Sequence, residues 1–234
     1  MTLCITVDVD WAEDFALEYT LQLLSDHAAT ATIFATHQTS VLDGVEDDGL
    51  EVGIHPEVDA GHQESIKNLL EMFPTAVGIR THRLTDTAAL RSFAFESGLQ
   101  YDSNLYLPIR TPPFIDFSGL VRVPFVWSDY AVIATGGDFD TGWNIPPDLL
   151  WVIAVHPIHI YLNTESVDRY KTAAAYRHDQ GALMTSRNRG PNPGAADALL
   201  ALLEQCESGA DFILGRDIAA LPPLPAVLDT SKPR

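Results

Sequence analysis

Short apolar, β-branched runs alternate along this chain with stretches in which leucines recur at helical spacing. Leu3-Cys4-Ile5-Thr6-Val7 stops at Asp8 and Asp10, as a buried parallel strand does when it leaves the core. Leu17, Leu21 and Leu24 then predict a helix over Asp14–His27. Thr32–Ala35 and Leu50–Ile54 read as the next two strands, the latter ending at His55-Pro56. A helix follows with Ile66, Leu69, Leu70 and Phe73 on one face and Pro74 as its stop. Ala76–Ile79 reads as a strand that delivers Arg80 and His82, and the helix after it begins near Asp86 and ends at Gly98. Leu99–Tyr101 runs into Asp102, Ser103 and Asn104, and a loop containing Pro108, Pro112 and Pro113 follows. Further strands are predicted near Leu120–Val126 and over Leu149–Val155, the second ending at His156-Pro157. Residues 164–194 are polar and punctuated by glycine and proline, which predicts an irregular, mobile excursion over one face. Ala195–Cys206 predicts the last helix and Asp211–Leu214 the last strand. This β-then-α order, without repeat or linker, predicts one α/β barrel-like domain over residues 1–220 and a proline-rich tail over 221–234.

Charge narrows the function. The 234 residues carry 32 Asp and Glu against 14 Lys and Arg, a net charge of −18. Nucleic acid binding needs a positive footprint that is missing here, and an anionic membrane surface would repel the chain. Cys4 and Cys206 lie far apart with no CxxC spacing, which excludes a disulfide scaffold and a cysteine-ligated zinc site. With no signal-peptide pattern and no apolar run near the ~18 residues of a membrane span, the chain reads as soluble and cytoplasmic.

Asp8, Asp10, His55, Arg80, His82, Asp102 and His156 all fall at or just past the end of a predicted strand. In parallel α/β folds those ends converge on the face where ligands bind. Alternation along an extended Asp8-Val9-Asp10 would put both carboxylates on one side, about 6–7 Å apart. One could then serve a cation and the other the water that the cation polarises, although an aspartate here also suits a helix cap. Asp10 and His55 are ligands suited to zinc or a similar divalent ion. His62 and His82 both qualify as the third ligand, His82 slightly better as the end of the next strand. His156 is the candidate proton donor at the mouth of the site. Continued strand alternation would send His159 to the other side, as a structural residue.

At these residues the chain resembles the polysaccharide deacetylase family, the NodB-homology domain of carbohydrate esterase family 4. The family's opening Thr-Phe-Asp-Asp is similar to Thr6-Val7-Asp8-Val9-Asp10, and its Ala-Thr-Phe-Phe strand to Ala31-Thr32-Ile33-Phe34. Its later motifs resemble Gly53-Ile54-His55, Arg80 and Val155-His156-Pro157. Glu51–Pro56, Gly78–His82, Tyr101–Tyr106 and His156–Asn163 resemble most closely the subgroup found in O-antigen and surface-polysaccharide clusters. Two departures stand out. The family's His-x-x-x-His has Asp59 in place of its second histidine, leaving Asp59, His62 or His82 as the third ligand; Arg-x-Pro has become Arg80-Thr81-His82.

The resemblance implies a distorted parallel (β/α) barrel of about seven strands and hydrolysis of an acetyl group on a sugar or glycan. It implies one divalent metal ion, zinc before cobalt, nickel or manganese. Asp8 would be the general base, Arg80 its partner and His156 the general acid. Tyr101, Asp102 and Asn104 would contact substrate or brace the site. Hydrolysis of a non-sugar C–N bond on the same fold, and a non-catalytic carbohydrate-binding relative, are the alternatives. Oligomeric state has no signature in the sequence.

Overall fold

The computed structural model describes residues 1–46, 49–58, 61–109, 111–139, 142–145, 149–206 and 209–221. The tail beyond Leu221, and Asp59, lie outside them. Alternation along β1 (Thr2–Asp8) sets the layering: Leu3, Ile5 and Val7 join the core between sheet and helices, whereas Cys4 joins a second cluster inside the barrel. Thr6 and Asp8 follow Cys4 on that inner side, so the interior becomes polar toward the carboxyl end.

The chain continues through α1 (Asp14–Asp26), β2 (Ala31–Ala35), β3 (Glu51–Ile54), α2 (His62–Met72), β4 (Gly78–Ile79), α3 (Ala88–Glu96) and β5 (Tyr101–Asp102). The short strands β6 (Phe114–Ile115), β7 (Val121–Arg122) and β8 (Trp127–Ser128) precede α4 (Asp129–Thr135) and β9 (Leu150–Val155). Next come α5 (Pro157–Leu162), α6 (Val167–Ala174), α7 (Gln180–Ser186), α8 (Ala195–Cys206), β10 (Asp211–Phe212) and α9 (Gly215–Ala220). The sheet runs β6-β7-β5-β4-β3-β2-β1-β9-β8, with β10 paired to the start of β1, and every pair is parallel except β6 with β7. This is the parallel barrel the sequence predicts, drawn out into ten strand segments, several only two residues long. Among the described residues no helix is long and apolar enough to cross a membrane.

Three local expectations are corrected. The run at Leu120–Val126 forms only Val121–Arg122, and the chain then passes Pro124 to an isolated bridge between Phe125 and Tyr106. The stretch 164–194 holds two helices, α6 and α7, begun by Ser166 and Asp179, whose side chains accept from Arg169 N and Ala182 N. Each helix fully buries a single apolar residue, Ala173 or Leu183, which is why no periodicity announces them. The sequence pattern also predicts neither α4 nor α5; α5 is buried on every side and reads as a continuation of β9.

The floor of the barrel is fastened by Glu51, 2% exposed. Its carboxylate accepts from Tyr101 Oη at 2.9 Å, Thr32 Oγ1 at 2.8 Å and the Arg216 backbone N–H at 3.0 Å, while Gly215 N–H donates to Thr32 at 2.8 Å. The side chain therefore ties α9 beneath the strands. Glu51→Ala strands three donors, and charge-assisted bonds of this kind are worth about 2–3 kcal/mol. The urea midpoint should fall by that equivalent with an unchanged slope; an unchanged midpoint would remove Glu51 from this role.

Candidate active site

The carboxyl ends of β1, β3 and β9, with the turn after β4, surround a cavity of about 1090 Å³ whose wall includes Asp8, Asp10, His55, His82 and His156. β1 ends at Asp8, and Asp10 turns into the left-handed region at φ 48°, which aspartate tolerates better than most residues. The bend is held by Val9 N–H to Phe34 O at 3.1 Å and Thr36 Oγ1 to Asp10 O at 2.6 Å. Asp8 and Asp10 thus meet through a turn and not through extended alternation, and both reach His156 Nε2, at 3.7 Å and 3.8 Å.

Arg80 crosses the interior fully buried. Its Nη1 donates to Asp8 Oδ1 at 2.8 Å and Thr6 Oγ1 at 2.7 Å; its Nε and Nη2 donate to Ser103 O and Oγ. The guanidinium lies between the rings of Phe34 and Phe125, 4.7 Å and 4.4 Å from their centroids. A buried cation is tolerated because carboxylate, hydroxyl, carbonyl and two π faces replace its water.

Asp10 Oδ1 lies 3.0 Å from His55 Nε2 and 3.1 Å from His82 Nδ1. Asp10, His55 and His82 can each offer one ligand atom, all within 4.8 Å of one another, and they are the one such trio among the described residues. Burial works against the Asp10 charge, but hydrogen bonds from His55 and His82 outweigh it and hold the carboxyl well below its usual range. The bond to Asp10 raises the pKa of His82. One carboxylate oxygen and two imidazole nitrogens are the donor set of a zinc-type site, so these residues fit a divalent ion. His55 Nδ1 is buried without a hydrogen-bond partner, unlike the usual backed ligand. Gly53, two residues before His55, is required by close approach: a Cβ there would meet the Phe34 ring and Gly78 O at 2.9 Å.

His62 does not join this trio. It opens α2, its ring 6.1 Å from that of Phe93, and the histidine brought to Asp10 is His82.

His156 directly precedes Pro157, which starts α5. Asp129 clamps it twice, Oδ1 lying 2.6 Å from Nδ1 and Oδ2 accepting from the backbone N–H at 2.7 Å. Burial disfavours the charged ring, yet Asp129, then Asp10 and Asp8, push its pKa up to about 10. Sequence reasoning missed Asp129, fully buried at the start of α4. It too follows a strand end, but Trp127–Ser128 is too short to stand out as a strand. His159 is corrected as well. Because α5 replaces strand alternation, its ring lies on the same side as His156, centroids 5.5 Å apart. Burial, with the His156 charge, brings its pKa down to about 4, so it is neutral.

Tyr101, Asp102 and Asn104, expected to contact substrate or brace the site, are all buried and none lines the cavity. Tyr101 serves Glu51, Asp102 pairs with Arg122 at 2.7 Å, and Asn104 Oδ1 accepts from the Thr81 backbone N–H at 2.7 Å. These contacts are those of bracing residues, with Tyr101 and Asp102 on β5 and Asn104 just beyond it.

The family model described as WbmS-like polysaccharide deacetylase matches residues 5–174. A presumptive polysaccharide deacetylase involved in O-antigen biosynthesis, WbmS from Bordetella bronchiseptica, is 32% identical with a TM-score of 0.82, covering 87% of this chain and 90% of its own. The peptidoglycan N-acetylglucosamine deacetylase Bc1960 shares the fold at 14% identity and TM-score 0.53, over 96% and 90% of the two chains. So does BA3943, a CE4 family pseudoenzyme from Bacillus anthracis, at 11% identity and TM-score 0.52, over 93% and 65%. No match was found among curated proteins.

Proposed function

Since the chain belongs to the WbmS-like polysaccharide deacetylase family, we propose that it is a metal-dependent hydrolase removing N-acetyl groups, or O-acetyl groups, from a sugar or polysaccharide precursor. The observation that carries this reading is the placement of Asp8 and His156 around the Asp10–His55–His82 trio, each with its own fixing partner. Asp10, His55 and His82 would hold one divalent ion, zinc by donor type, with cobalt, nickel or manganese as substitutes. An ion bound by them would supply Lewis acidity for a carbonyl oxygen and a lowered pKa for water, toward 7.

The chain's own residues supply the proton transfers. Arg80 occupies Asp8 Oδ1, which leaves Oδ2, on the His156 side, to take a proton from the attacking water as general base. An amide nitrogen leaves poorly unless protonated, and His156 Nε2, on the cavity wall, is the general acid that supplies this proton. Asp129, accepting at Nδ1, fixes the ring's orientation. The pseudoenzyme neighbour shows that this fold alone does not guarantee turnover; here His82 would stand in for the missing second histidine of the family motif, and its place beside Asp10 and His55 supports the enzyme over a non-catalytic binder.

Metal analysis and acetate release test the proposal together. The purified protein should carry about one equivalent of divalent ion and release acetate from N-acetylated sugars or oligosaccharides, with both properties lost in His55→Ala. A protein that neither binds a divalent ion nor deacetylates any such sugar would refute it.

A further inference from the structure

Four aromatic rings from four separate parts of the chain form a continuous strip on the cavity wall beside His156. They are Trp11 after β1, Tyr130 on α4, His159 on α5 and Tyr170 on α6. Trp11 and Tyr170 stack, centroids 6.0 Å apart at 26°. Tyr170 meets His159 at 4.8 Å, and His159 stacks on Tyr130 at 6.4 Å and 21°. Tyr130 in turn lies 6.0 Å from His156, so the strip begins beside that residue.

The hydrogen bonding is suited to a ligand with one apolar face. Trp11 Nε1 donates to Tyr170 Oη at 3.2 Å. The indole has no second donor and therefore presents only its ring, whereas Tyr170 keeps its own hydroxyl hydrogen to give. Tyr130 is 54% exposed although it lies on the cavity wall, an amphipathic surface left open to a ligand. The same cavity also carries the small polar side chains Ser65 and Asn68 of α2. An acyl chain would waste those polar groups, and a polyanion is opposed by the −18 charge. A pyranose ring, with C–H groups on a face and hydroxyls at its edge, matches both.

We infer that Trp11, Tyr170 and Tyr130 form the binding face for the pyranose ring that carries the scissile acetyl group, which makes α6 a specificity element. This inference rests on the deacetylase reading. It gives a function to the segment 164–194, which the sequence alone predicts as an irregular, mobile excursion over one face.

The test separates the two ideas by measuring binding as well as turnover. Methyl glycosides of N-acetylglucosamine, N-acetylgalactosamine and N-acetylmannosamine are titrated against tryptophan fluorescence, with acetanilide as the amide that lacks a sugar. At least one glycoside should change the fluorescence, and Trp11→Phe should abolish the change. Tyr170→Ala should weaken binding roughly tenfold and Tyr170→Phe about two- to fivefold, the scale of one aromatic contact and one hydroxyl bond. KM for the glycoside should rise by a larger factor than KM for acetanilide, and by more than kcat falls. Weakened glycoside binding in Tyr170→Ala without wild-type turnover would uphold the platform and sink the deacetylase. Glycoside hydrolysis with wild-type KM in Tyr170→Ala and Tyr170→Phe would overturn the platform and leave the deacetylase standing. Equal losses on glycoside and acetanilide, or no binding of any of the three glycosides, would also overturn the platform.

Discussion

Asp8→Asn is expected to lower kcat for N-acetyl hydrolysis by ~10²–10⁴, the usual worth of a positioned general base, with metal content unchanged. The separation of those two readouts follows from the geometry. Asp10 Oδ1 is the atom that meets His55 and His82, whereas Asp8 Oδ1 is taken by Arg80. An amide in place of the carboxylate can still receive the Arg80 hydrogen bond through its oxygen, so the fold should persist with a stability loss from the missing counter-charge to the buried guanidinium. What disappears is the basic Oδ2 facing His156. Stopped assays of acetate release alongside metal analysis of the same preparation check this. A variant that keeps most of its activity would remove Asp8 from the base role; one that loses the metal would make it a ligand.

Asp129→Asn should cost ~10²-fold or more on the amide and much less on an activated aryl ester, whose leaving group departs without a proton. Asp129 accepts from both the His156 side chain and its backbone N–H, at 2.6 Å and 2.7 Å, so it sets the ring's orientation and favours its protonated form. Asparagine can accept one of those bonds but supplies no negative charge. The ratio of kcat on N-acetyl sugar to kcat on aryl acetate reports the proton donor specifically. An equal loss on both would assign His156 and Asp129 to substrate placement. His156→Ala should show the same substrate dependence, and a mismatch between the two variants would break the pairing.

The parallel layering, the site face and most of the trio could be read from the amino-acid order because they depend on local rules. A β-branched run that stops at Asp8, His55 or His156 marks a strand end, and strand ends of a parallel sheet share a face. The resemblance added roles to those positions. What stayed hidden depended on short or one-sided signals. Asp129 follows a two-residue strand, α6 and α7 bury little, and the placement of His159 turns on whether the backbone after Val155 stays extended. Pro157 was the clue there, since proline is at home in the first turn of a helix. The choice between His62 and His82 needed three dimensions: α2 carries His62 against Phe93, while the turn after β4 carries His82 to Asp10. Tyr101, Asp102 and Asn104, which the sequence leaves between substrate contact and bracing, make scaffold contacts that only the three-dimensional arrangement shows.

Arg80 joins β1 to the segment beyond β5 by way of Asp8 and Ser103, and Glu51 anchors the opposite mouth. Asp8 is therefore registered to the inner framework of the barrel, independently of the loops at its rim. On the proposed deacetylase reading, sequence drift in the helices that overlie the cavity would retune which glycan is admitted while the residues beneath stay in register. On such an architecture, new substrate preferences can arise without the proton-transfer apparatus having to be rebuilt.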